Sequence, residues 1–280
     1  MIDLKVTNNI IKEFEESIIN PRKINGKKLY TGIDLGTAFV VLSVVDEDKN
    51  PVAGAYEYAD VVKDGMVVNY MGAIDIVNRL KKKLEDRLGT QLIYGAAAIP
   101  PGTENVDSGV VKNVCEACGF EIVKILDEPS AANAIIHMDN GAVVDIGGGT
   151  TGISILKDGN VVKVTDESSG GTHFSLVLAG AYGIDFEEAE LIKRDNSRHD
   201  EIFPVVRPVI DKISSIIQRS VEGYNVDNLV LVGGTASLKG METYIESKIG
   251  IKTYKPVNPM FVTPLGIAMS CVGLEDSNGY

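Results

Sequence analysis

Two stretches of the chain bring a carboxylate, glycines and a threonine hydroxyl close together in sequence. The first is Gly32-Ile33-Asp34-Leu35-Gly36-Thr37, followed by the apolar run Phe39-Val40-Val41-Leu42. The second is Val144-Asp145-Ile146-Gly147-Gly148-Gly149-Thr150-Thr151, followed by Ile153-Ser154-Ile155-Leu156. Each reads as strand, Asp, Gly-rich turn with Thr, and strand again. Glycine lets backbone approach a ligand closely. Backbone N–H groups in such a turn form a concavity that suits phosphate oxygens. An Asp at the strand end can hold a hydrated Mg²⁺ beside those phosphates. Either stretch alone would be an ordinary turn. As a pair, one in each half of the chain, they predict a nucleotide clamped between two lobes.

The order of the remaining segments sharpens that reading. Leu126-Asp127-Glu128-Pro129-Ser130-Ala131-Ala132 lies between the two stretches, and a third Gly-rich strand end, Leu229-Val230-Leu231-Val232-Gly233-Gly234-Thr235, follows them. In this order they resemble the phosphate-1, connect-1, phosphate-2 and adenosine segments of the actin-like ATPases. That superfamily includes sugar kinases, DnaK-type heat-shock chaperones and bacterial actins. The resemblance runs from Leu29 to Cys271. Within it, Tyr58-Ala59-Asp60-Val61-Val62-Lys63-Asp64-Gly65 and Ile99-Pro100-Pro101-Gly102-Thr103 are similar to the chaperone-like proteins of ethanolamine utilisation. The resemblance implies an α/β chain with a two-lobed actin-like (ribonuclease H-like) fold, each lobe a mixed sheet with flanking helices. It also implies ATP and Mg²⁺ as cofactors.

Residue roles follow from the same resemblance. It puts Asp34 and Asp145 near Mg²⁺ through its waters. Gly36 and Thr37 would meet the β- and γ-phosphates, as would Gly147, Gly148, Gly149 and Thr150. Glu128 matches the connect-1 carboxylate that orients the attacking water, which completes a catalytic set of Glu128, Asp145, Asp34 and Thr150. Its plainer role is an acid in a first helical turn, favoured by the helix dipole. Gly233, Gly234 and Thr235 match the segment along the adenosine. Glu190 and Lys193 match ribose- or adenine-facing positions of bacterial actins, although a Glu–Lys pair at this spacing is commonly a surface pair.

Three departures bear on turnover. DnaK-type chaperones carry an Asp two residues after the second Thr, where this chain has Gly152. The usual second hydroxyl of the first turn is Ala38. The loop that carries the chaperones' catalytic Lys is missing from a shorter first lobe. Nucleotide binding is therefore expected to outweigh hydrolysis, and any activity would be a slow Mg²⁺-dependent ATPase. The chain also leaves no room after its last helix for a peptide-holding β-sandwich.

The elements that must position these residues fit one bilobed protein of 280 residues with 44% hydrophobic content. A net charge of −12 argues against nucleic acid and anionic membrane as partners. Lys81-Lys82-Lys83, the basic cluster, falls in a helical pattern and reads as a solvated face. No apolar run approaches the roughly 20 residues needed to span a bilayer, and the N-terminus does not read as a signal peptide. Three cysteines fit a reducing cytoplasm, with microcompartment association as an extension. Cys115-Glu116-Ala117-Cys118 could be redox-active or half a zinc site, but its helical setting favours packing.

Residues 1–29 form an amphipathic helical segment, ended by Asn20-Pro21, which either packs on its own chain or docks a partner. Residues 30–139 are the first lobe and 140–257 the second. Residues 258–280 bring a last helix, Pro264–Cys271, back to the first lobe, with a frayed tail from Glu275 to Tyr280. The expected strands are Leu29–Val45 as a hairpin, Pro51–Tyr58, Leu92–Ala98, Glu121–Leu126, Ala142–Ile146, Gly152–Lys157, Val161–Thr165 and Asn228–Val232. The expected helices cover Gly72–Leu88, Asn105–Ala117, Glu128–Met138, Thr172–Tyr182, Phe186–Arg194, Glu201–Glu222 and Ser237–Lys248. The function implied is an ATP-dependent chaperone or assembly factor for an ethanolamine-pathway enzyme or microcompartment shell protein. The alternatives are an actin-like protein that self-associates on ATP, a nucleotide-binding scaffold without turnover and, more weakly, a sugar or acetate kinase.

Overall fold

The computed structural model describes residues 2–63, 66–100 and 107–274. The expectations for residues 64–65, 101–106 and the tail 275–280 lie outside the described residues.

The first half runs α1 (Lys5–Ile19), β1 (Leu29–Leu35), β2 (Phe39–Asp46), β3 (Pro51–Tyr58), β4 (Val62–Lys63), β5 (Met66–Val67), α2 (Tyr70–Leu88), β6 (Tyr94–Ile99), α3 (Asp107–Ala117), β7 (Glu121–Asp127) and α4 (Glu128–Ile136). The second half runs β8 (Gly141–Ile146), β9 (Thr151–Lys157), β10 (Asn160–Glu167), α5 (Gly171–Tyr182), α6 (Phe186–Arg194), α7 (His199–Val221), β11 (Asn228–Val232), α8 (Met241–Ile249), β12 (Lys252–Tyr254) and α9 (Val262–Cys271). One sheet has the order β3-β2-β1-β6-β7 and the other β10-β9-β8-β11-β12. In both, a three-strand antiparallel meander continues into two parallel strands. The same architecture is thus built twice. The central strands are apolar nearly throughout because both faces of each sheet are covered.

Side-chain alternation decides what each face sees. Ile33 and Leu35 face outward into a core with α2 and α3, while Tyr30 faces inward into a core shared with α4 and α9. In the second sheet Val144 and Ile146 face outward with α5 and α7, and Val143 faces the inner core. Asp34 and Asp145 share the parity of Tyr30 and Val143, so both point inward from the ends of β1 and β8.

Two helices fill the space between the sheets. Asp127 caps α4, its carboxylate accepting from Ser130 N at 2.8 Å, and Pro129 pre-sets the first turn. α9 packs so closely on α4 that a Cβ at Gly266 would lie 1.7 Å from the Ala131 carbonyl oxygen. It also lies on β1, where a Cβ at Gly32 would meet Pro264 O at 2.4 Å. Ser43 Oγ donates to that carbonyl at 2.6 Å. Among the described residues no helix is long and apolar enough to cross a membrane.

Several sequence expectations are corrected. Of the two readings of α1, packing on its own chain holds, since its apolar face is spent within the chain. Phe14 lies over Gly54, meets Phe261 edge-on at 5.2 Å, and is fully buried with Ile11. Arg87 closes the far end by donating to the carbonyls of Ile18 and Ile19, each at 2.7 Å. Lys81 is not a solvated lysine: its Nζ donates to the carbonyls of Cys118 and Gly119, both at 2.9 Å. α8 begins at Met241 instead of Ser237, because Thr235–Ser237 form a 3-10 turn and Gly240 has φ +81. The short strands β4, β5 and β12 were not anticipated, since two or three residues carry no periodicity. Cys115 and Cys118 are free and buried. Burial pushes both thiols up, Cys118 to about 11, so they act as core side chains.

The helix crossing gives a paired prediction. Gly266→Ala should destabilise the fold by about 1–3 kcal/mol through overpacking. Gly180→Ala, at an exposed α5 position with nothing within 4 Å of the added Cβ, should stabilise it by about 0.5–1 kcal/mol. Urea unfolding of both variants measures the contrast, and equal effects would contradict the close crossing.

Candidate functional site

The two Gly-rich turns are built alike. Gly36 N donates to Phe39 O and Gly147 N to Thr150 O, each at 3.0 Å. They meet face to face, so that a Cβ at Gly148 would lie 3.2 Å from the Ala38 Cβ. The second turn is braced from two sides. Thr235 Oγ1 donates to Gly147 O at 2.7 Å. The first turn of α5 donates through Gly171 N to Gly147 O at 3.0 Å and through Thr172 N to Gly148 O at 2.8 Å. Gly233 has φ +88, and a Cβ there would lie 2.2 Å from Asp145 Oδ1. Only glycine lets β11 end beside that carboxylate.

These turns and the carboxylates enclose a single cleft. Asp34, Gly36, Thr37, Glu128, Asp145, Gly147, Gly148, Gly149, Thr150, Gly233 and Gly234 all line it. Asp145 is only 8% exposed and accepts from Thr263 Oγ1 at 2.8 Å. Burial pushes it up to about 6, the Thr263 hydroxyl opposing and the charge of Asp166 adding to the rise. Asp34 is pushed up to about 7, by burial first and then by the charge of Asp145. Glu128, the first residue of α4, is raised well above the usual carboxylate range by burial and then by Asp145 and Asp34. Among the described residues, none of the charges acting on these three groups is positive. Three acids in a narrow cleft without a cation suit a Mg²⁺ ion chemically. No group of three or more His, Cys, Asp or Glu among the described residues is placed to ligate a metal directly.

The cleft widens next to the turns into a cavity of about 690 Å³, against about 100 Å³ at the carboxylates. Glu190, Lys193 and Thr235 line the wide end, and Gly234 lines both parts. Glu190 and Lys193 are not a surface pair. Glu190 is 4% exposed and accepts from Ser175 Oγ at 2.6 Å and from Lys193 Nζ. Lys193 also donates to Gly171 O at 3.1 Å, and burial holds its ammonium below its ordinary pKa. The sequence reading missed three participants. Thr263 holds Asp145, and Arg194 lies over the rings of Tyr58 at 4.6 Å and Phe39 at 5.7 Å. Asp166 adds a charge. Neither Thr263 nor Arg194 belongs to a motif, and contacts between the two halves of the chain have no sequence signal.

The raised acids set a pH dependence. Unfolded carboxylates titrate near pH 4, so between pH 4 and 7 the folded chain binds protons that the unfolded chain has released. Stability from these groups is complete below about pH 4 and is lost as the pH rises through the values of about 6 and about 7 for Asp145 and Asp34. The ligand-free protein in EDTA should melt at a higher temperature at pH 5.5 than at pH 8, and Asp34→Asn should narrow that gap. Calorimetric melting curves check this; an unchanged gap in the variant would sink it.

The sequence profile of Type IV pilus assembly protein PilM matches residues 118–264, and that of MreB/Mbl protein matches residues 53–178. Ethanolamine utilization protein EutJ of Salmonella typhimurium is 44% identical over 243 residues, covering 86% of this chain and 85% of that protein. EutJ of Escherichia coli K12 is 43% identical over 252 residues, covering 90% and 88%. Among solved structures, EutJ from Carboxydothermus hydrogenoformans aligns with TM-score 0.88 and 45% identity over 94% of this chain and 97% of that one. MreB 5 of Spiroplasma citri bound to AMPPNP aligns with TM-score 0.72 at 18% identity over 90% and 99%, a likeness of fold. The repeated sheets, the facing Gly-rich turns and the identity over most of both chains lead to one conclusion: this chain belongs to the EutJ family of actin-like ATPases.

Proposed function

We propose that the chain is a nucleotide-driven switch that binds ATP with Mg²⁺ in the cleft and couples the bound state to the affinity for a protein of ethanolamine utilisation. The observation that carries this is the pair of mirrored turns, backed by three acids with no cation among the charges acting on them. In this reading Gly36, Thr37 and Gly147 to Thr150 cradle the β- and γ-phosphates with backbone N–H groups and hydroxyls. Asp34 and Asp145 hold the waters of the metal. Glu128 orients the water that attacks the γ-phosphate. Gly233, Gly234 and Thr235 lie along the adenosine, and Glu190 and Lys193 face its sugar or base. Bound Mg²⁺ neutralises charge on the phosphates and on the acids together.

The partner is a pathway enzyme or a microcompartment shell protein, a reading supported by the names of the relatives. Residues 30–139 and 140–257 act as the moving lobes, with residues 258–280 returning to the first. Closure on nucleotide would shift how the two sheets sit across α4 and α9, a hinge or shear motion of packed elements. Turnover is slow because Ala38 removes a hydroxyl from the phosphate end.

Calorimetric titration with ATP and Mg²⁺, run beside a phosphate-release assay, tests the proposal. The wild-type protein should bind ATP and release phosphate slowly. Glu128→Ala should lower release about a hundredfold while changing affinity less than about threefold, the pattern of a group that acts on the reacting water. Asp145→Asn should weaken binding in Mg²⁺. No binding at millimolar ATP would refute the switch, and light scattering that rises with ATP would favour a polymer instead.

A further inference from the structure

Gly152 leaves the site one carboxylate short of the DnaK-type pattern. Gly152 on β9 lies directly opposite Asp145 on β8, so β9 offers no carboxylate at the position where DnaK-type chaperones carry an acid. On its other side, β10 begins in register, with Asn160 opposite Lys157 and Val161 opposite Leu156. The register then shifts by one, and Lys163 stands opposite Ile155. Val162 is the extra residue of a β-bulge. Had the first register continued, Thr165 would stand opposite Gly152. With the bulge, Asp166 does. Bulges are a common way of re-aiming a side chain near a site.

The face is fixed independently. Lys163 Nζ donates to Ser220 O on α7 at 2.7 Å, which puts the odd positions after the bulge on the outer face. Asp166 therefore projects inward, on the same face as Asp145. The Cα positions of Asp166 and Asp145 are two strand spacings apart, about 10 Å, and the β9 residue between them in the ladder is Gly152. One carboxylate oxygen of Asp166, Oδ1, is shielded from solvent. Its charge reaches both Glu128 and Asp145.

We infer that Asp166 is a positioning residue of the nucleotide site, supplying from β10 the carboxylate that is absent at Gly152 and holding the water shell of a nucleotide-bound Mg²⁺. The inference rests on the nucleotide reading above. It explains why a glycine is tolerated at position 152: the bulge at Val162 delivers the acid from the next strand.

The test is ADP binding by calorimetry, in Mg²⁺ and separately in EDTA, for the wild type, Asp166→Asn, Asp166→Ser and the double variant Gly152→Asp/Asp166→Asn. Melting curves confirm that each is folded. Mg²⁺ should strengthen ADP binding to the wild type. In both single variants that gain should fall about tenfold, the usual scale for groups that hold a metal's surroundings. Binding in EDTA should stay the same or tighten, because a negative charge facing the phosphates has gone. The double variant should recover most of the gain. An equal gain from Mg²⁺ in wild type and variants, or an equal loss in Mg²⁺ and EDTA, would overturn the inference and leave the nucleotide site standing. A wild type that binds no ADP in either buffer would overturn the nucleotide reading and this inference together.

Discussion

The close crossing of α4 and α9 between the two sheets is the constraint on which the cleft depends. At Gly266 the backbones approach until no side-chain carbon fits above Ala131, and at Gly32 the same helix presses on β1. Interiors packed this tightly do not deform continuously. The crossing therefore fixes where the ends of β1 and β8 stand relative to each other, and with them Asp34 and Asp145. Glu128 begins one helix of the crossing, and Thr263 lies in the first turn of the other. Residues that line the cleft and residues that join its walls belong to the same two helices.

Electrostatics makes that geometry consequential. Burying three acids side by side is unfavourable, because each charge loses hydration and repels the others. The protein carries this cost in its ligand-free state. A ligand that brings positive charge relieves it, and binding of that ligand to the folded chain alone stabilises it by mass action. The narrow acidic end and the wide neighbouring cavity divide the cleft into a charged part and a part with room for a larger group. Arg194 over Tyr58 and Phe39 adds a contact from α6 to β2 and β3 across the wide end.

The repeated sheet order shows how the halves diverged while keeping one plan. The first turn has Ala38 facing Gly148 of the second, so small residues meet where the turns touch. Even the bulge at Val162 is repeated: β3 carries Val52 as an extra residue between the partners of Val44 and Val45 on β2, four residues before Tyr56, as Val162 stands four before Asp166. The N-terminal helix has no counterpart in the second half; it fills the hollow over Gly54 with Phe14 and also meets Phe261 and Asn258.

Most of the elements and the cleft's backbone were legible in the sequence. Strand periodicity, the Asp-Gly-Thr turns and the Asn-Pro end of α1 are local signals, and local physics reads them. Asp34, Glu128 and Asp145 could be singled out because each ends a strand or begins a helix in a recognisable segment. What the tertiary structure alone decided were relations between distant segments. Thr263 holds Asp145 from 118 residues away, and the apolar face of α1 closes on β3 instead of a partner. Lys81 caps two carbonyls that its own helix does not contain. The bulge at Val162 exchanges Thr165 for Asp166 opposite Gly152, although nothing in the string Val161-Val162-Lys163 announces it. A sequence fixes which side chains alternate on a strand, but register is set by the partner strand and the packed core. A shift of one residue reverses the face every later side chain sees.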